Sequence, residues 1–331
     1  MRISLHTREC IRKCIGSFDA VVPLAGDASM REYFRIFRGD ASLILCIDAA
    51  FRGASLDTYP FCVVQKLYRE HGIPVPDIVD ADTDEGFLLL SDLGDLPLED
   101  AVCRLSRDEL QSVYERLLEI IVSIQAIPRG TGGIPFSLSF DMDKLMFEFD
   151  FFITHALGAY FQVPPDDAVA ALRGEFSRIA ALLVKPESFV LAHRDYHCRN
   201  VMLVNGSPCI IDFQDSRMGL PQYDVVSLLR DSYVRLDDPL FARLKRRYYD
   251  ISYGRIHTMA LGEYEYYFDL MAFQRNVKAL GTFGYQVTAL KRAHYENYIK
   301  NTARYLGGYI SRRDELKPAG ALLRPYLGDD W

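Results

Sequence analysis

No stretch of this 331-residue chain approaches the roughly 20 consecutive apolar residues that a membrane-spanning helix needs. The opening decapeptide MRISLHTREC has no apolar core, so no secretory leader is expected. Basic residues are outnumbered, 38 Lys and Arg against 45 Asp and Glu, for a formal charge of −7. A basic stripe with interleaved aromatics is missing, which argues against a nucleic-acid partner. There is no CxxC pair, and the seven cysteines are odd in number, as expected of reduced thiols. Cys10 and Cys14 sit four apart on an expected helix, but no second ligand pair follows, so zinc is not expected. Internal repeats and low-complexity linkers are absent too. What remains is an ordinary soluble composition, 49% apolar and 25% charged, long enough for two lobes. The default expectation is a cytoplasmic enzyme; oligomeric state is not legible.

The pattern of short elements changes along the chain. Residues 21–24, 33–37 and 43–47 are apolar runs broken by Gly26-Asp27 and Gly39-Asp40, which predicts strands and tight turns. Residues 59–71 read as a helix closed by Gly72, with Pro74 and Pro76 beyond it. A strand over 87–90 runs into Ser91-Asp92-Leu93-Gly94. From Ser106 the period becomes helical: Leu110, Val113, Leu117, Ile121 and Ile124 recur until Pro128. Helices are expected at 143–161 and 166–184, short strands at 188–192, 201–204 and 209–211, and helix again over most of 224–311. The plan is α+β and bilobal: a small antiparallel-sheet N-lobe, residues 1–93, and a larger helical C-lobe, residues 94–331.

The chemistry concentrates in His193-Arg194-Asp195-Tyr196-His197-Cys198-Arg199-Asn200, followed after eleven residues by Asp212-Phe213-Gln214-Asp215. Phosphoryl transfer to a hydroxyl needs a carboxylate to accept its proton and orient its oxygen, and Asp195 is the candidate. It also needs a hard cation on the triphosphate, and magnesium takes carboxylate and amide oxygens. Asn200, five residues on, and Asp212, after an apolar strand, supply those two types. Base, amide and metal carboxylate in this order match the catalytic and metal loops of kinases. Hence a protein-kinase-like fold, ATP and Mg²⁺ are expected. His193 and His197 are read as braces for the loop.

The Asp195-x-His197-x-x-Asn200 loop resembles that of the aminoglycoside phosphotransferase superfamily. Further blocks narrow the likeness: Gly26-Asp27-Ala28-Ser29, Ile211-Asp212-Phe213-Gln214-Asp215, Ser227-Leu228-Leu229-Arg230-Asp231, and Gln274-Arg275 with Lys278 and Gly281. Together they resemble the anomeric kinases of N-acetylmuramate and N-acetylglucosamine. That resemblance implies salvage of cell-wall sugars, with a small amino sugar as partner and phosphate placed on the anomeric hydroxyl. On the acceptor side it implies Glu148, Arg199, Gln214, Arg230, Asp231 and Arg275, with Arg230 or Arg275 meeting a lactyl carboxylate. Asp224 is expected to tie down the catalytic loop.

One kinase feature is missing. The strand over 43–47 carries no lysine for the nucleotide phosphates, and Lys66 on the next helix has no evident glutamate partner. Arg31 and Arg35, which follow the turn containing Ser29, are the substitute cations. Ser91, Asp92 and Leu93 form the expected adenine-binding hinge. Aminoglycosides are polycations, whereas the helical half is rich in arginine, which favours a neutral or anionic acceptor. Another small-molecule kinase of the superfamily, or a nucleotide-binding pseudokinase, are the alternatives.

Overall fold

The computed structural model describes residues 3–24 and 31–328, which divide into two compact units. The first comprises residues 1–96 and 201–214, the second 97–200 and 215–331. Ser29 and the turn around it lie outside the described residues.

The first unit is a five-stranded antiparallel sheet in the order β1-β2-β3-β5-β4. Its strands are β1 (Ala20–Pro23), β2 (Glu32–Arg38), β3 (Ala41–Ile47), β4 (Ile78–Asp82) and β5 (Phe87–Ser91). Two helices accompany it, α1 (Leu5–Ile15) and α2 (Pro60–Glu70). Alternation along β2 and β3 places Phe34, Ile36 and Leu45 on one face, where they pack with Ile11 of α1 and Phe87 and Leu89 of β5. α2 opens with Pro60, whose missing N–H costs nothing in the first turn, and ends where Gly72 takes φ 72°.

A contiguous lobe of residues 1–93 leaves out a piece that returns to it. The hairpin Val201–Val204 and Ser207–Ile210 belongs to this unit, bonded by Leu203 N–H to Leu96 O at 2.8 Å and Ile210 N–H to Pro74 O at 2.7 Å. Phe213, just beyond, packs its ring on Phe61 and Tyr68 of α2. Periodicity also missed β4, because Asp80 and Asp82 interrupt its apolar character. Cys10 has company that spacing could not reveal: His6 Nε2 lies 3.9 Å from its Sγ and 2.9 Å from Glu85.

The second unit is helical. It holds α3 (Leu98–Ala101), α4 (Arg107–Gln125), α5 (Ile134–Ser137), α6 (Met142–Phe152), α7 (Asp167–Leu183), α8 (Gln222–Leu229), α9 (Asp238–Ser252), α10 (Leu261–Thr288), α11 (Glu296–Arg312) and α12 (Lys317–Leu327). Ser106 and Glu109 close a reciprocal cap at the start of α4. The expected helix over 143–161 is α6 followed by a π-helix over Ile153–Tyr160. α10 runs through the core and crosses that segment closely, because Gly281 and Gly284 have no side chain. A Cβ at 281 would stand 2.8 Å from Phe152 Cα, and one at 284 would stand 2.5 Å from His155 O. Among the described residues no helix is long and apolar enough to cross a membrane.

Candidate active site

In the second unit, the strands Val190–Ala192 and Arg217–Gly219 pair and launch the loop that carries Asp195. Asp224, at the start of α8, is wholly buried and ties that loop down. Its carboxylate accepts His193 N–H at 2.7 Å and Arg194 N–H at 3.0 Å. Burial pushes the Asp224 carboxyl up, against the pull of those donors and His193. The tether sets an unusual backbone: Arg194 sits at φ 87°, a conformation rare outside glycine. The loop closes through Asn200, whose Nδ2 donates to Asp195 O at 2.9 Å and whose N–H bonds to His197 O at 2.9 Å.

Asp195 faces α10. Lys278 Nζ lies 2.9 Å from its Oδ1, Arg275 3.8 Å from the same oxygen, and Arg194 Nε 3.6 Å from Oδ2. Burial alone would raise this carboxyl. Lys278, Arg194 and Arg275 outweigh it and hold Asp195 well below the ordinary carboxylate range, so it stands ready as an anion. Burial moves Lys278 the other way, below the usual lysine value, with Asp195 and Glu148 pulling it back. Burial also pushes His197 down to about 3, which leaves a neutral imidazole edge-on to Tyr233.

Glu148 of α6 is 3% exposed and reaches the same place. Its Oε2 accepts Gln274 Nε2 at 2.8 Å, while Lys144 and Lys278 stand 3.7 and 3.9 Å from Oε1. A cavity of about 90 Å³ beside Asp195 is lined by Ser227, Arg230, Tyr233, Arg275 and Lys278 among others.

Other expected acceptor residues have fold partners here. Arg275 donates to Arg194 O at 2.7 Å, Tyr223 Oη at 2.8 Å and Ser227 Oγ at 2.5 Å. Arg230 sits over the Phe241 ring, its Cζ 3.3 Å from the centroid. Asp231 receives the Cys198 and Tyr233 N–H groups, both at 2.9 Å. Arg199 pairs with Glu99 at 2.7 Å and stacks on Tyr233. Sequence placed Lys278 on the acceptor side but did not foresee its pairing with Asp195, and Lys144 was not anticipated at all. The signal was available: Gln274 and Lys278 lie four apart, and Arg275 and Lys278 three apart, on one expected helix.

In the first unit, Asp212 follows the hairpin at φ 65°, left-handed backbone that aspartate tolerates better than most residues. Gln214 Nε2 donates to its Oδ1 at 2.7 Å. Arg31 pairs with Asp48 at 2.9 Å, and Tyr59 donates to the same carboxylate. Arg35 clasps Asp92 through Nε at 2.5 Å and Nη2 at 3.0 Å, while Ser42 donates to Asp92 at 2.7 Å. Ser91 Oγ accepts Asp77 N–H at 2.9 Å, and Leu93 is half-buried. Arg31 and Arg35 are therefore already charge-paired, and β3 carries no lysine.

Asp195 is thus a carboxylate held ionised on a tethered loop, with the amide of Asn200 five residues on. Residues 20–258 match the model of the phosphotransferase enzyme family. The chain belongs to that family. Two curated relatives of this phosphotransferase are named N-acetylmuramate/N-acetylglucosamine kinase. The one from Pseudomonas aeruginosa is 32% identical over 92% of this chain and 87% of its own. The one from Neisseria meningitidis serogroup B is 30% identical over 92% and 90%. Among solved structures, ADP-bound aminoglycoside phosphotransferase APH(2'')-Ib superposes with a TM-score of 0.59, at 13% identity over 92% of this chain and 99% of its own. The fold of the phosphotransferase is thus kinase-like, an antiparallel sheet unit and a helical unit.

Proposed function

We propose that this phosphotransferase moves the γ-phosphate of ATP onto the anomeric hydroxyl of N-acetylmuramate, N-acetylglucosamine or both. The observation that carries the reading is Asp195, ionised and held by Lys278 at 2.9 Å, in a chain 30–32% identical to kinases named for those sugars. An anomeric hydroxyl is more acidic than other sugar hydroxyls, so a carboxylate held well below its usual range is still base enough. Cations around that base suit a neutral or anionic acceptor and oppose a polycationic one.

Asn200 in the second unit and Asp212 in the first are each assigned to magnesium in this reading by donor type. Their donor set, an amide oxygen and a carboxylate, is hard oxygen and fits that ion. When bound, magnesium neutralises phosphate charge. The chain's own residues do the rest: Asp195 orients the hydroxyl and takes its proton, and Asp224 and Arg275 fix the loop that presents it. Arg275 is assigned to bracing and not to a lactyl carboxylate, because both its terminal nitrogens already donate to the fold. Incubation with ATP, magnesium and each sugar, followed by phosphorus NMR of the product, tests the assignment.

A further inference from the structure

Glu148 presents an anomaly. Its side chain is 3% exposed, yet Oε1 has no hydrogen-bond partner. Two ammonium groups wait just beyond bonding range, Lys144 Nζ at 3.7 Å and Lys278 Nζ at 3.9 Å. A buried carboxylate oxygen without a donor is costly and is rarely left so. Its position is firmly set, because Gly281 and Gly284 let α10 press against the continuation of α6, and Gln274 of α10 holds Oε2 at 2.8 Å. The missing donor must therefore come from a side chain that can move. Both lysines have flexible stems, but Lys278 is the one that also touches Asp195, and its Nζ needs to shift by only about an ångström to reach Oε1.

The base has the opposite difficulty. Lys278 donates to Asp195 Oδ1 at 2.9 Å, the kind of contact an incoming hydroxyl must make. An oxygen engaged by an ammonium is a poor acceptor for a second donor arriving along the same direction.

We propose that Lys278 is a two-position cation: it rests on Asp195 when the acceptor is absent and passes to Glu148 Oε1 when a hydroxyl docks on Asp195. The proposal rests on Asp195 as the base of the proposed reaction, and Lys278 is a positioning residue. On transfer, the hydroxyl proton goes to Asp195 Oδ1 and the O–H electron pair forms the new O–P bond. The bond from the γ-phosphorus to the β–γ bridging oxygen breaks, and its electron pair leaves with that oxygen on the nucleoside diphosphate. Neutral Asp195 then no longer attracts the ammonium, and Glu148 supplies the replacement anion.

A crystal structure of the Asp195→Asn variant tests the movement without any acceptor. Nζ of Lys278 should lie within hydrogen-bond distance of Glu148 Oε1; Nζ still directed at the side chain of position 195 overturns the proposal. Kinetics supply the second arm. Glu148→Gln leaves the lysine on the base, so the sugar KM should rise about tenfold while the nucleotide KM stays, since a hydrogen bond to a charged group is worth at least that factor. Glu148→Asp should restore part of the loss. Lys278→Met should lower kcat without raising the sugar KM, and adding Glu148→Gln to it should change the sugar KM no further. If the two substitutions instead raise that KM independently, both side chains are plain sugar contacts. If the wild-type protein phosphorylates no amino sugar, the proposed acceptor fails, and the Asp195→Asn structure still decides the movement of Lys278.

Discussion

Replacing Arg275 by methionine probes the frame of the site. The wild-type guanidinium is 10% exposed and supplies donors to Arg194 O, Tyr223 Oη and Ser227 Oγ. Methionine keeps much of the apolar volume and leaves those oxygens without a donor. Each such bond to a charged group is worth about 1.5–3 kcal/mol, but the bonds share one donor and do not add. Breaking a buried charged cluster from one side costs about 3–5 kcal/mol. At roughly 2–4 °C per kcal/mol for a unit of this size, the Tm should fall by about 6–20 °C. Catalysis should suffer as well, because Arg194 O belongs to the residue before Asp195, the proposed base, and displacement by about 1 Å can cost 10²-fold. Thermal unfolding of the protein alone, with kcat/KM on both sugars, is the assay. The loss should be equal for N-acetylmuramate and N-acetylglucosamine, and Arg275→Lys should not rescue it, since one ammonium cannot replace the planar fork. An unchanged Tm with a defect confined to N-acetylmuramate would refute the bracing role and make Arg275 a carboxylate receptor.

Asp195→Asn should bind nucleotide normally by calorimetry and lose about 10²–10⁴-fold in kcat, the usual contribution of a positioned base; near-normal turnover would remove it from that role. Gly284→Ala should cost about 1–3 kcal/mol in denaturant unfolding, because its Cβ would stand 2.5 Å from His155 O, and a neutral result would mean the crossing of α10 can relax. In the first unit, burial would raise Asp92, but Arg35, Ser42 and the Gly94 N–H outweigh it and lower it. The stability it contributes is therefore complete above the unfolded carboxylate value, near pH 4, and is lost as pH falls through the lower folded value. The Tm deficit of Asp92→Asn at pH 7 should shrink below about pH 4, and a deficit that grows in acid would contradict the sign.

The order of elements was legible because the period changes, alternating before Gly94 and helical after Ser106. The loop of Asp195 and its tether were legible because Asp195, Asn200 and Asp224 lie on short stretches with fixed spacing. Return of residues 201–214 to the first unit was not, since it depends on Leu203 and Ile210 bonding to backbone far away in sequence. The roles of the cations were also hidden. Sequence shows Arg230, Arg275 and Lys278 as three positive charges. Only the packing separates one over the Phe241 ring, one holding the loop, and one on Asp195. Arg31 and Arg35 were likewise read as cations for phosphate, and in the structure each is already paired with a carboxylate, Asp48 and Asp92.

The central claim is that the phosphate goes to the anomeric oxygen of an N-acetylated amino sugar. The most direct measurement is a proton-coupled phosphorus spectrum of the product formed from ATP, magnesium and N-acetylglucosamine or N-acetylmuramate. The account predicts one phosphomonoester signal, split by the single anomeric proton of the sugar. A signal split by two protons, as on the 6-position, or ATP consumption with no sugar phosphate at all, would contradict it.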